Sequence, residues 1–559
     1  MVGNVNDLKE ANASVIASGV PNFAGCRIRV VSKFNIEMFE QQLQGYSDSH
    51  VIEFLKFGFP INHNGHSYNS SSPGNHKGAR LFPLHVDEYL RNEVSSGRVL
   101  GPLHKNPFDR PLAISPINTV EKGDSEDRRI IMDMSFPPGN SVNDGIDKCL
   151  FLGDPVDLKY PAVDDLVKLV KRFGRGTLLF KVDLKAAFRQ IPVDPGDYHL
   201  LGYEWDDHLF IDLVLAMGLR SAAYCCQRLT NAIAFIYSNM GYHSVNYLDD
   251  FGCADHADAA ERAFAALQDL LGRLGVEESR KKACPPNTTM VFLGVQFDTI
   301  NLTLEVPQSR LHDIRAELEV WLSKDTTSIK QVQSLIGKLV FISKCVPSSR
   351  IFLGRLLHFL RGMDRDKEAR LSQEFRQDIV WWYKYVGVFN GVSMMHLEDW
   401  TRPDEFLECD ACLEGCGAIC CGEYFAAQFP IHVKPPEYNI NMLELLCINV
   451  ALKLWGAHLV GKKLLVHCDN MVAVECINNG KTRNPYLQAC IRELLYIACI
   501  NNFQIKAVHI RGRDNRASDS LSRLHMGGTY DQQFKQATIG RALKRVYTKD
   551  SMFDVEEFW

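Results

Sequence analysis

Two adjacent aspartates, Asp249 and Asp250, interrupt an extended apolar run in the segment VNYLDDFG, residues 245–252. Carboxylates in apolar surroundings are costly unless a cation neutralises them. The following Gly252 eases a bend, so we expect the pair at a tight turn between two strands. Aspartate is also common in turns that carry no function, and that alternative stays open for this segment taken alone.

A second apolar strand also ends in an aspartate. The segment LLFKVDLKAAFRQIPV places Asp183 at the end of its strand-like run. Strand ends of one sheet can bring Asp183 and Asp249 together, and clustered carboxylates bind divalent cations. Two such cations about 4 Å apart catalyse in-line phosphoryl or nucleotidyl transfer. The alternative, an ordinary turn aspartate, again stays open for this stretch alone.

Composition limits the classes of protein to consider. The chain of 559 residues is 46% hydrophobic, which indicates about three or four globular domains. No apolar run is long enough to span a bilayer and no signal-peptide pattern opens the chain, so we expect no membrane. The 17 irregularly spaced cysteines favour free thiols in an intracellular compartment, either cytoplasmic or nuclear. The net charge of −5 requires locally basic grooves, such as residues 171–176 and 279–282, in any nucleic-acid binder.

Residue composition and hydrophobic pattern divide the chain into segments. Residues 1–79 form an N-terminal extension that includes a polar loop at 62–77, whose three histidines are either exposed loop residues or metal ligands. Residues 80–300 alternate strand and helix patterns, with helices expected at 220–240 and 257–275. Strands and then helices fill residues 401–525, and residues 526–559 form a tail.

The segment 301–400 is predicted to be helical. Two stretches carry apolar residues on one helical face, and the second starts behind Ser328 as an expected N-cap. The apolar positions are Leu311, Ile314, Leu318 and Leu322 in the first stretch, and Val332, Leu335, Leu339 and Ile342 in the second.

Four segments, taken in order, resemble the palm motifs of reverse transcriptases. They are FKVDLKAAFRQI, MGLRSAAYCCQ, YLDD and FLGVQF. The resemblance implies an α/β (α+β) fold: a right-hand polymerase with fingers and palm in 80–300 and a helical thumb and connection in 301–400. It also implies that Asp183 and Asp249, supported by Asp250, hold two Mg²⁺ ions, with Mn²⁺ as the alternative ion.

The same resemblance assigns residues to the incoming nucleotide. The segment VEKGDSEDRRIIMDMS is similar to the fingers hairpin, which implies that Lys122 and Arg129 contact the triphosphate. Positive charge there would also stabilise the transition state. The alternative for both residues is a solvated hairpin charge. Phe188, five residues after Asp183, corresponds to an aromatic that blocks a ribose 2′-hydroxyl, with core packing as its alternative role.

The motifs also assign residues of the loop before a predicted helix, of the primer grip and of the pyrophosphate site. Gly218 and Gln227 match a motif that faces template and nucleotide, although Ala216 stands where a proline is usual. The missing proline makes this loop less rigid. VFLGV, residues 291–295, resembles the primer grip. Lys282 is a candidate general acid for pyrophosphate, and the sequence does not separate it from the adjacent Lys281.

A second set of carboxylates lies near the C-terminus. The segments that carry it are FLECDACLEGCGAI, INMLELLCINVALKLW, KLLVHCDN and HIRGRDNRASDSLSR, which contain Asp410, Glu444, Asp469 and Asp519. This order resembles ribonuclease H, in which three strands precede the first helix and the carboxylates meet at one sheet edge. The resemblance implies two Mg²⁺ ions that activate water, with His509 catalytic and Asn515 at the substrate. Each acid taken alone is equally typical of a solvated surface.

Five cysteines surround Asp410 in the segment CDACLEGCGAICC. The opening C-x-x-C pair makes zinc a candidate. However, the run alternates like a strand, which divides its cysteines between two faces, and no second C-x-x-C or H-x-x-H pair lies nearby. Free structural thiols are therefore the favoured interpretation.

These patterns predict an RNA-directed DNA polymerase with ribonuclease H activity. The expected partners are an RNA template, a DNA primer, the RNA:DNA hybrid and dNTPs. FPPGNSVNDGI (136–146) and ASDSLSR look most like DIRS-like retrotransposons, with gypsy-like elements next, so a separately encoded recombinase is a candidate partner. The alternatives are a domesticated or decayed element protein that binds nucleic acid without catalysis, and an RNA-copying polymerase. The sequence does not indicate the oligomeric state.

Overall fold

The computed structural model describes residues 5–17, 29–122, 125–156, 160–345, 347–364, 367–389, 391–394, 403–433, 437–480 and 482–555. The chain divides into two compact units, Met1–Met290 and Val291–Trp559. We call them the first and the second unit. The domain boundaries predicted from the sequence are finer than this division and stay predictions.

The first unit combines helices with antiparallel sheets. Its helices are Val5–Ala17 (α1), Ile36–Gln42 (α2), Val51–Phe57 (α3), Lys77–Leu81 (α4), Pro83–Ser95 (α5), Val163–Phe173 (α6), Ala222–Asn239 (α7) and Ala260–Leu274 (α8). Its strands are Val99–Leu103 (β1), Ile117–Lys122 (β2), Ser125–Met132 (β3), Leu150–Phe151 (β4), Asp154–Pro155 (β5), Leu178–Asp183 (β6), Gly202–Trp205 (β7), His208–Asp212 (β8), Ser244–Tyr247 (β9), Asp250–Asp255 (β10) and Cys284–Asn287 (β11). Strand β12, Thr289–Phe292, crosses the division between the units.

A four-stranded sheet in the order β11-β6-β10-β9 forms the centre of the first unit. Helices α6, α7 and α8 pack against it. Helix α8 does so because Leu267, Leu270, Leu271 and Leu274 recur at helical spacing and are all buried. The helices expected at 220–240 and 257–275 are confirmed as α7 and α8.

The second unit begins with a small sheet and continues with helices and a larger sheet. Its strands are Val295–Asp298 (β13), Thr303–Glu305 (β14), Thr326–Thr327 (β15), Ala369–Arg370 (β16), Val392–Met394 (β17), Glu405–Ala411 (β18), Gly415–Cys420 (β19), Glu423–Gln428 (β20), Lys463–Cys468 (β21), Gln504–His509 (β22) and Lys544–Arg545 (β23). Its helices are Gln308–Leu322 (α9), Ile329–Ser343 (α10), Gly354–Arg361 (α11), Gln373–Val388 (α12), Ile440–Trp455 (α13), Met471–Asn479 (α14), Pro485–Ile500 (α15), Arg516–Ser522 (α16) and Gly528–Ala537 (α17).

The predicted helical stretches of 301–400 correspond to α9 and α10. All four apolar residues expected on the buried face of α10 are buried, and Ser328 is its N-cap residue. The backbone N–H of Ser328 donates to the Gln331 side chain at 3.2 Å, as in a capping box. In α9 the expectation fails at one position, because Leu322 at the helix C-terminus is exposed.

The larger sheet of the second unit has the strand order β22-β21-β18-β19-β20-β23. Strands β18, β19 and β20 pair antiparallel, whereas β21 is parallel to both β18 and β22. Three strands of this sheet therefore precede helix α13, as the ribonuclease H resemblance implies. Parallel neighbours end at the same edge of a sheet, which brings the ends of β18 and β21 together.

Helix α13 packs on β18 and β19 and is the most apolar helix of the second unit. Residues 440–459 are long and apolar enough to cross a membrane, which corrects the expectation that no apolar run of the sequence is that long. However, 67% of this apolar stretch is buried inside the protein. A buried core helix passes the same test of length and composition. Its packing against the sheet gives this helix a core role in the fold.

The helical segment 301–400 and the larger sheet belong to the same compact unit. Helix α12 packs against α15, where the Arg492 guanidinium donates a hydrogen bond to the fully buried Asp378 carboxylate. Burial raises the pKa of Asp378 to about 6, and Arg492 opposes that shift. The contacts of α12 with α15 join the segments on the two sides of residue 400. The domain boundary that the sequence predicts at this residue therefore stays a prediction.

Candidate active sites

Asp183 and Asp250 lie directly opposite each other on the paired antiparallel strands β6 and β10. Directly opposed residues point to the same face of a sheet, so the two carboxylates share one side. Asp249 precedes β10 in the turn after β9, and its carbonyl accepts a hydrogen bond from the Leu184 N–H at 2.8 Å. The three predicted carboxylates are therefore gathered at one end of the central sheet.

The turn that carries Asp249 is held by a buried side chain. Leu248 has a φ of +52°, a left-handed conformation that costs energy for a leucine. The side chain of Gln227 is 0% exposed; its oxygen accepts from the Leu248 N–H at 2.7 Å and its amide donates to the Asn246 carbonyl at 2.8 Å. Gln227 therefore supports the turn from inside α7. This placement corrects its sequence-based assignment to a surface that faces nucleotide.

Two lysines neutralise part of the charge of this site. The Lys282 ammonium donates to Asp183 at 3.0 and 3.3 Å, and the Lys181 ammonium lies 3.5 Å from Asp250 Oδ1. The side chain of Lys282 is 61% exposed, whereas that of Asp183 is buried. The hydrogen bond to Asp183 raises the pKa of Lys282. The structure thus distinguishes Lys282, which contacts Asp183, from its neighbour Lys281, for which the described residues show no such contact.

The carboxylates remain under-neutralised despite these lysines. Burial raises the pKa of Asp250 to about 6; Lys181 opposes this shift, while Asp183 and Asp249 add to it. Burial also raises the pKa of Asp249, and Asp183 adds to that shift. Asp250 Oδ1 is buried without a hydrogen-bond partner among the described residues. These properties fit a site that takes up further positive charge.

Phe188 follows Asp183 through a short turn. Ala186 has a φ of +46°, and residues Ala187–Gln190 form one turn of 3₁₀ helix. The Phe188 ring is half-buried and packs on the hydrophobic core of the first unit. The turn is anchored by Arg189, which is buried and donates to both carboxylate oxygens of Asp212 at 2.8 and 2.9 Å. The extended-then-turning path predicted after Asp183 is present.

The fingers hairpin is formed by β2 and β3. Arg129 on β3 is exposed, and its charge lowers the raised pKa of Asp249. The side chain of Lys122 lies outside the described residues. Gly218 has a φ of +119°, and a Cβ atom there would lie 1.8 Å from the Met132 carbonyl at the end of β3. Only glycine fits this close approach, so Gly218 joins the hairpin to the loop before α7.

The second unit gathers the other predicted carboxylates. Asp410 lies on β18 and Asp469 directly after β21, and the register that pairs Glu408 with His467 sets both at the same level. Glu444 projects from α13, and Asp519 lies on α16. The described residues contain two groups of three possible metal-ligand atoms that all lie within 4.8 Å of one another. One of these groups comprises Glu444, Asp469 and Cys468.

Burial dominates the electrostatics of this second site. It raises the pKa of Asp410 to about 7; the Ser522 hydroxyl, which donates to Asp410 Oδ2 at 2.5 Å, opposes that shift. Burial raises the pKa of Glu444 well above its ordinary value, and Oε2 of this residue has no hydrogen-bond partner among the described residues. The pKa of Asp469 is raised for the same reason, and His509 and Arg523 oppose the shift. A cation would relieve all three carboxylates.

Two predicted residues of the HIRGRDNRASDSLSR segment, His509 and Asn515, have different surroundings. His509 is exposed at the end of β22, and its Nε2 lies 3.1 Å from the Asp469 carbonyl oxygen. Asn515 is only 3% exposed and donates to the Cys409 carbonyl at 3.0 Å, next to Asp410. Asn515 therefore ties the start of α16 to β18. This burial corrects the prediction that Asn515 contacts substrate, because its amide is used within the fold.

The cysteines of the CDACLEGCGAICC segment have separate partners. Cys412 donates to the Ser522 carbonyl at 3.3 Å, whereas Cys420 and Cys421 contact each other at 3.5 Å. Cys409 contacts Cys468 of the neighbouring strand, and Cys416 contacts Cys447 of α13. The sulfurs thus point to several places, as the strand alternation predicted. The three loop histidines also contact separate partners, and His76, for example, lies 2.9 Å from Asp133.

Four residues of the two sites were not found from the sequence. They are Lys181, Cys468, Ser522 and Arg523. A signal existed for Lys181, since it lies two residues before Asp183 and strand alternation places both on one face. Cys468 directly precedes Asp469, but alternation alone would place it on the opposite face. Ser522 and Arg523 enter the site only because α16 packs against β18.

These features define a polymerase-type palm site in the first unit. Residues 133–297 match the family described as "Reverse transcriptase (RNA-dependent DNA polymerase)". This segment is therefore similar to reverse transcriptase domains, and the retrovirus-related Pol polyprotein of a transposon is also similar along this chain. The predicted fold class, a polymerase fold with α/β content, is confirmed. The DIRS-like or gypsy-like subtype is not resolved by this match.

Two relatives illustrate the similarity along the chain. The genome polyprotein of Petunia vein clearing virus (isolate Shepherd) is 22% identical over 388 residues, 66% of this chain and 16% of the polyprotein. The retrovirus-related Pol polyprotein from transposon 297 of Drosophila melanogaster is 18% identical over 502 residues, 88% of this chain and 43% of that protein. The chain thus spans less than half the length of either relative.

Solved structures of foamy viral protease-reverse transcriptase are also similar. The foamy viral chain in the complex with dsDNA is 12% identical to this chain, with a TM-score of 0.45. The alignment covers 86% of this chain and 99% of the foamy viral chain. The complex with RNA/DNA hybrid is 12% identical with a TM-score of 0.43, and covers 90% of this chain and 63% of that one.

Proposed function

We propose that the first unit copies RNA into DNA. The observation that carries this proposal is the placement of Asp183 opposite Asp250, with Asp249 in the adjoining turn, inside the segment that is similar to reverse transcriptase domains. The primer 3′-hydroxyl attacks the α-phosphate of a dNTP and pyrophosphate leaves. Lys282, whose ammonium already reaches Asp183, is suited to donate a proton to that leaving group. Arg129 and Lys122 of the fingers hairpin bind the triphosphate.

The carboxylates of this site would hold two Mg²⁺ ions, with Mn²⁺ as the alternative. Asp250 Oδ1 is buried without a hydrogen bond among the described residues, and the Lys181 ammonium lies 3.5 Å from it. This atom and the raised pKa values of Asp249 and Asp250 support that fit. When bound, the ions would lower the pKa of the primer hydroxyl and neutralise charge on the phosphates. A divalent cation at Asp183 would compete with the Lys282 ammonium for that carboxylate, and the released ammonium would then be available to pyrophosphate.

The second unit, in this proposal, cleaves the RNA strand of the RNA:DNA hybrid. Asp410, Glu444, Asp469 and Asp519 would hold the hydrolytic ions, and the unpartnered Glu444 Oε2 supports that fit. The chemistry that the ions supply when bound is activation of water, and cleavage leaves a 3′-hydroxyl on the RNA. His509, exposed beside the Asp469 carbonyl, is placed to assist product release or proton transfer. Ser522 and Arg523 orient Asp410 and Asp519.

The competing function is nucleic-acid binding without catalysis by a domesticated or decayed element protein. Seven carboxylates retained in two sites argue against it. An RNA-copying polymerase is disfavoured because hydrolysis of a hybrid requires DNA synthesis on RNA. The DIRS-like lineage, a separately encoded recombinase and an intracellular location complete the proposal; free thiols at the described cysteines support the last point.

One reaction tests both activities. A DNA primer annealed to an end-labelled RNA template is incubated with the full chain, dNTPs and Mg²⁺, and both strands are followed on one gel. We expect the primer to lengthen and the RNA to shorten behind it. Binding of the hybrid without either product, at saturating protein, would favour the non-catalytic alternative. Extension with rNTPs in preference to dNTPs would favour the RNA-copying polymerase.

A further inference from the structure

The hydrolytic site of the second unit contains a sulfur donor. Ligand atoms of Glu444, Asp469 and Cys468 all lie within 4.8 Å of one another. The three residues come from helix α13 and from the end of β21, so two elements build the group. A site made of carboxylates alone would select hard cations such as Mg²⁺. The thiol changes that selectivity.

This group is a built site, because Glu444 and Cys468 are buried and one donor atom has no hydrogen-bond partner among the described residues. Glu444 is 3% exposed and its Oε2 has no hydrogen-bond partner among the described residues. Cys468 is 0% exposed, and the backbone N–H of Asn470 donates to its sulfur at 3.4 Å. The sulfur is therefore fixed next to the carboxylates. Asp469 is half-buried and provides the open side through which an ion can enter.

The spacing suits a softer ion. Zinc-like ions bind sulfur at about 2.3 Å and carboxylate oxygen at about 2.1 Å, which sets two ligands of one tetrahedral ion about 3.6 Å apart. Small side-chain rotations bring donors that lie within 4.8 Å to that separation. Thiolate ligands favour Zn²⁺ and Cd²⁺ over Mg²⁺, because soft sulfur donors bind soft or borderline cations more tightly.

We propose that Cys468, Glu444 and Asp469 form a binding site for a thiophilic divalent cation of the Zn²⁺ and Cd²⁺ class. The proposal rests on the proposed hydrolytic function of this site, since the same two carboxylates would hold Mg²⁺. A thiophilic ion therefore competes with Mg²⁺ and inhibits hybrid cleavage. The predicted ligands of the polymerase site in the first unit are all carboxylates and include no cysteine. We therefore expect a thiophilic ion to inhibit DNA synthesis less than hybrid cleavage.

Cadmium provides a direct probe, because a Cd²⁺–thiolate bond absorbs in the near ultraviolet. The full chain is titrated with Cd²⁺ alone, without Mg²⁺, as wild type, Cys468→Ser and Cys499→Ser. Cys499 is a matched control, since it is also buried in the second unit but lies on α15 outside the group. We expect Cys468→Ser to lose one saturable component of the absorbance and Cys499→Ser to retain it. Circular dichroism verifies the fold of each variant.

Two further variants sharpen the result. Glu444→Gln keeps the thiol but should weaken Cd²⁺ binding by roughly tenfold or more, as expected for a lost ligand. Cys421→Ser removes a half-buried thiol of the other donor group, Glu405, Cys420 and Cys421, and should leave the Cys468 component unchanged. Excess Mg²⁺ should shift the Cys468 component to higher Cd²⁺ concentration.

The result that overturns the proposal is an absorbance titration that is identical in wild type and folded Cys468→Ser. A Cys468 component that Mg²⁺ and Glu444→Gln leave unchanged would also overturn it, because the thiol would then bind Cd²⁺ apart from the carboxylates. Failure of the hydrolytic function is distinguishable. In that case wild type would show the Cd²⁺ component but would not cleave a hybrid in Mg²⁺ alone.

Discussion

Asp183 and Asp250 face each other across two antiparallel strands, so the second aspartate of the YLDD segment shares a sheet face with the aspartate of the preceding strand. The sequence suggested the pairing of Asp183 with Asp249 and gave Asp250 a supporting role. In the structure Asp250 is the residue directly opposed to Asp183, and Asp249 reaches the site from the turn. The turn geometry therefore decides how the three carboxylates meet.

The first prediction concerns that turn. Gln227→Ala removes both hydrogen bonds that support the left-handed Leu248 and leaves its part-buried N–H without the Gln227 acceptor. An unsatisfied buried group costs about 1–3 kcal/mol, so we expect reduced stability and a lower kcat for primer extension. Adding Leu248→Gly should restore part of the kcat, because glycine adopts that φ without strain. Loss of activity that Leu248→Gly does not improve would indicate a different role for Gln227.

The second prediction concerns sugar selection. Phe188→Val shortens a half-buried ring that follows Asp183 by one turn. If the ring excludes a 2′-hydroxyl, the ratio of dNTP to rNTP incorporation efficiency should fall by about 10- to 100-fold. Phe235→Val is a matched control, since Phe235 is also partly buried on the same core. An equal ratio in wild type and folded Phe188→Val would leave Phe188 with a packing role only.

The third prediction separates two adjacent lysines. Lys282 contacts Asp183 and is the candidate acid for pyrophosphate, whereas Lys281 is exposed beside it. Lys282→Gln should lower the extension rate by roughly a hundredfold and remove the alkaline limb of its pH profile. That limb reports loss of the proton that Lys282 would donate to pyrophosphate. Lys281→Gln should behave as wild type, and equal defects in both variants would remove the distinction.

The fourth prediction concerns pH and the second site. Burial raises the pKa of Asp410 from 3.8 to about 7, so the folded chain holds this proton more tightly than the unfolded chain. Its contribution to stability is present below about pH 4 and is lost as the pH rises through about 7. In metal-free buffer Asp410→Asn should therefore be more stable than wild type at about pH 8, by up to about 4 kcal/mol, because a pKa difference of about 3 corresponds to ~1.4 kcal/mol for each pKa unit. The difference should shrink towards pH 4.

The measurement is thermal unfolding of both proteins in chelator across that pH range. Asp207→Asn, in the exposed turn after β7, controls for the loss of an acid that is not buried. A stability difference between Asp410→Asn and wild type that does not change with pH would contradict a raised pKa of Asp410 in the folded chain.

The sequence predicted the carboxylates because local chemistry marks them. Asp183 and Asp410 lie at or near the end of apolar strands, where a charge is out of pattern, and Glu444 is a lone acid on an apolar helix. The helices α7, α8 and α10 followed from apolar spacing for the same reason. Such features depend on a few neighbouring residues and can be read directly.

The roles of Gln227 and Asn515 could not be read in this way. Both are polar and lie beside catalytic motifs, which favours a contact with substrate. Their burial depends on how α7 packs under the Leu248 turn and how α16 packs on β18. The left-handed Leu248 is equally hidden, because leucine rarely adopts that conformation and no local signal marks it. Tertiary packing supplies this information.

The most direct measurement of the central claim uses two variants in one assay. Asp249→Asn and Asp469→Asn are compared with wild type for primer extension on RNA and for cleavage of a preformed RNA:DNA hybrid. Each removes one predicted ligand from a different unit. We expect Asp249→Asn to abolish extension and retain cleavage, and Asp469→Asn to do the reverse on short templates. Loss of both activities in either folded variant, or wild-type cleavage by Asp469→Asn, would contradict the account of two separate carboxylate sites.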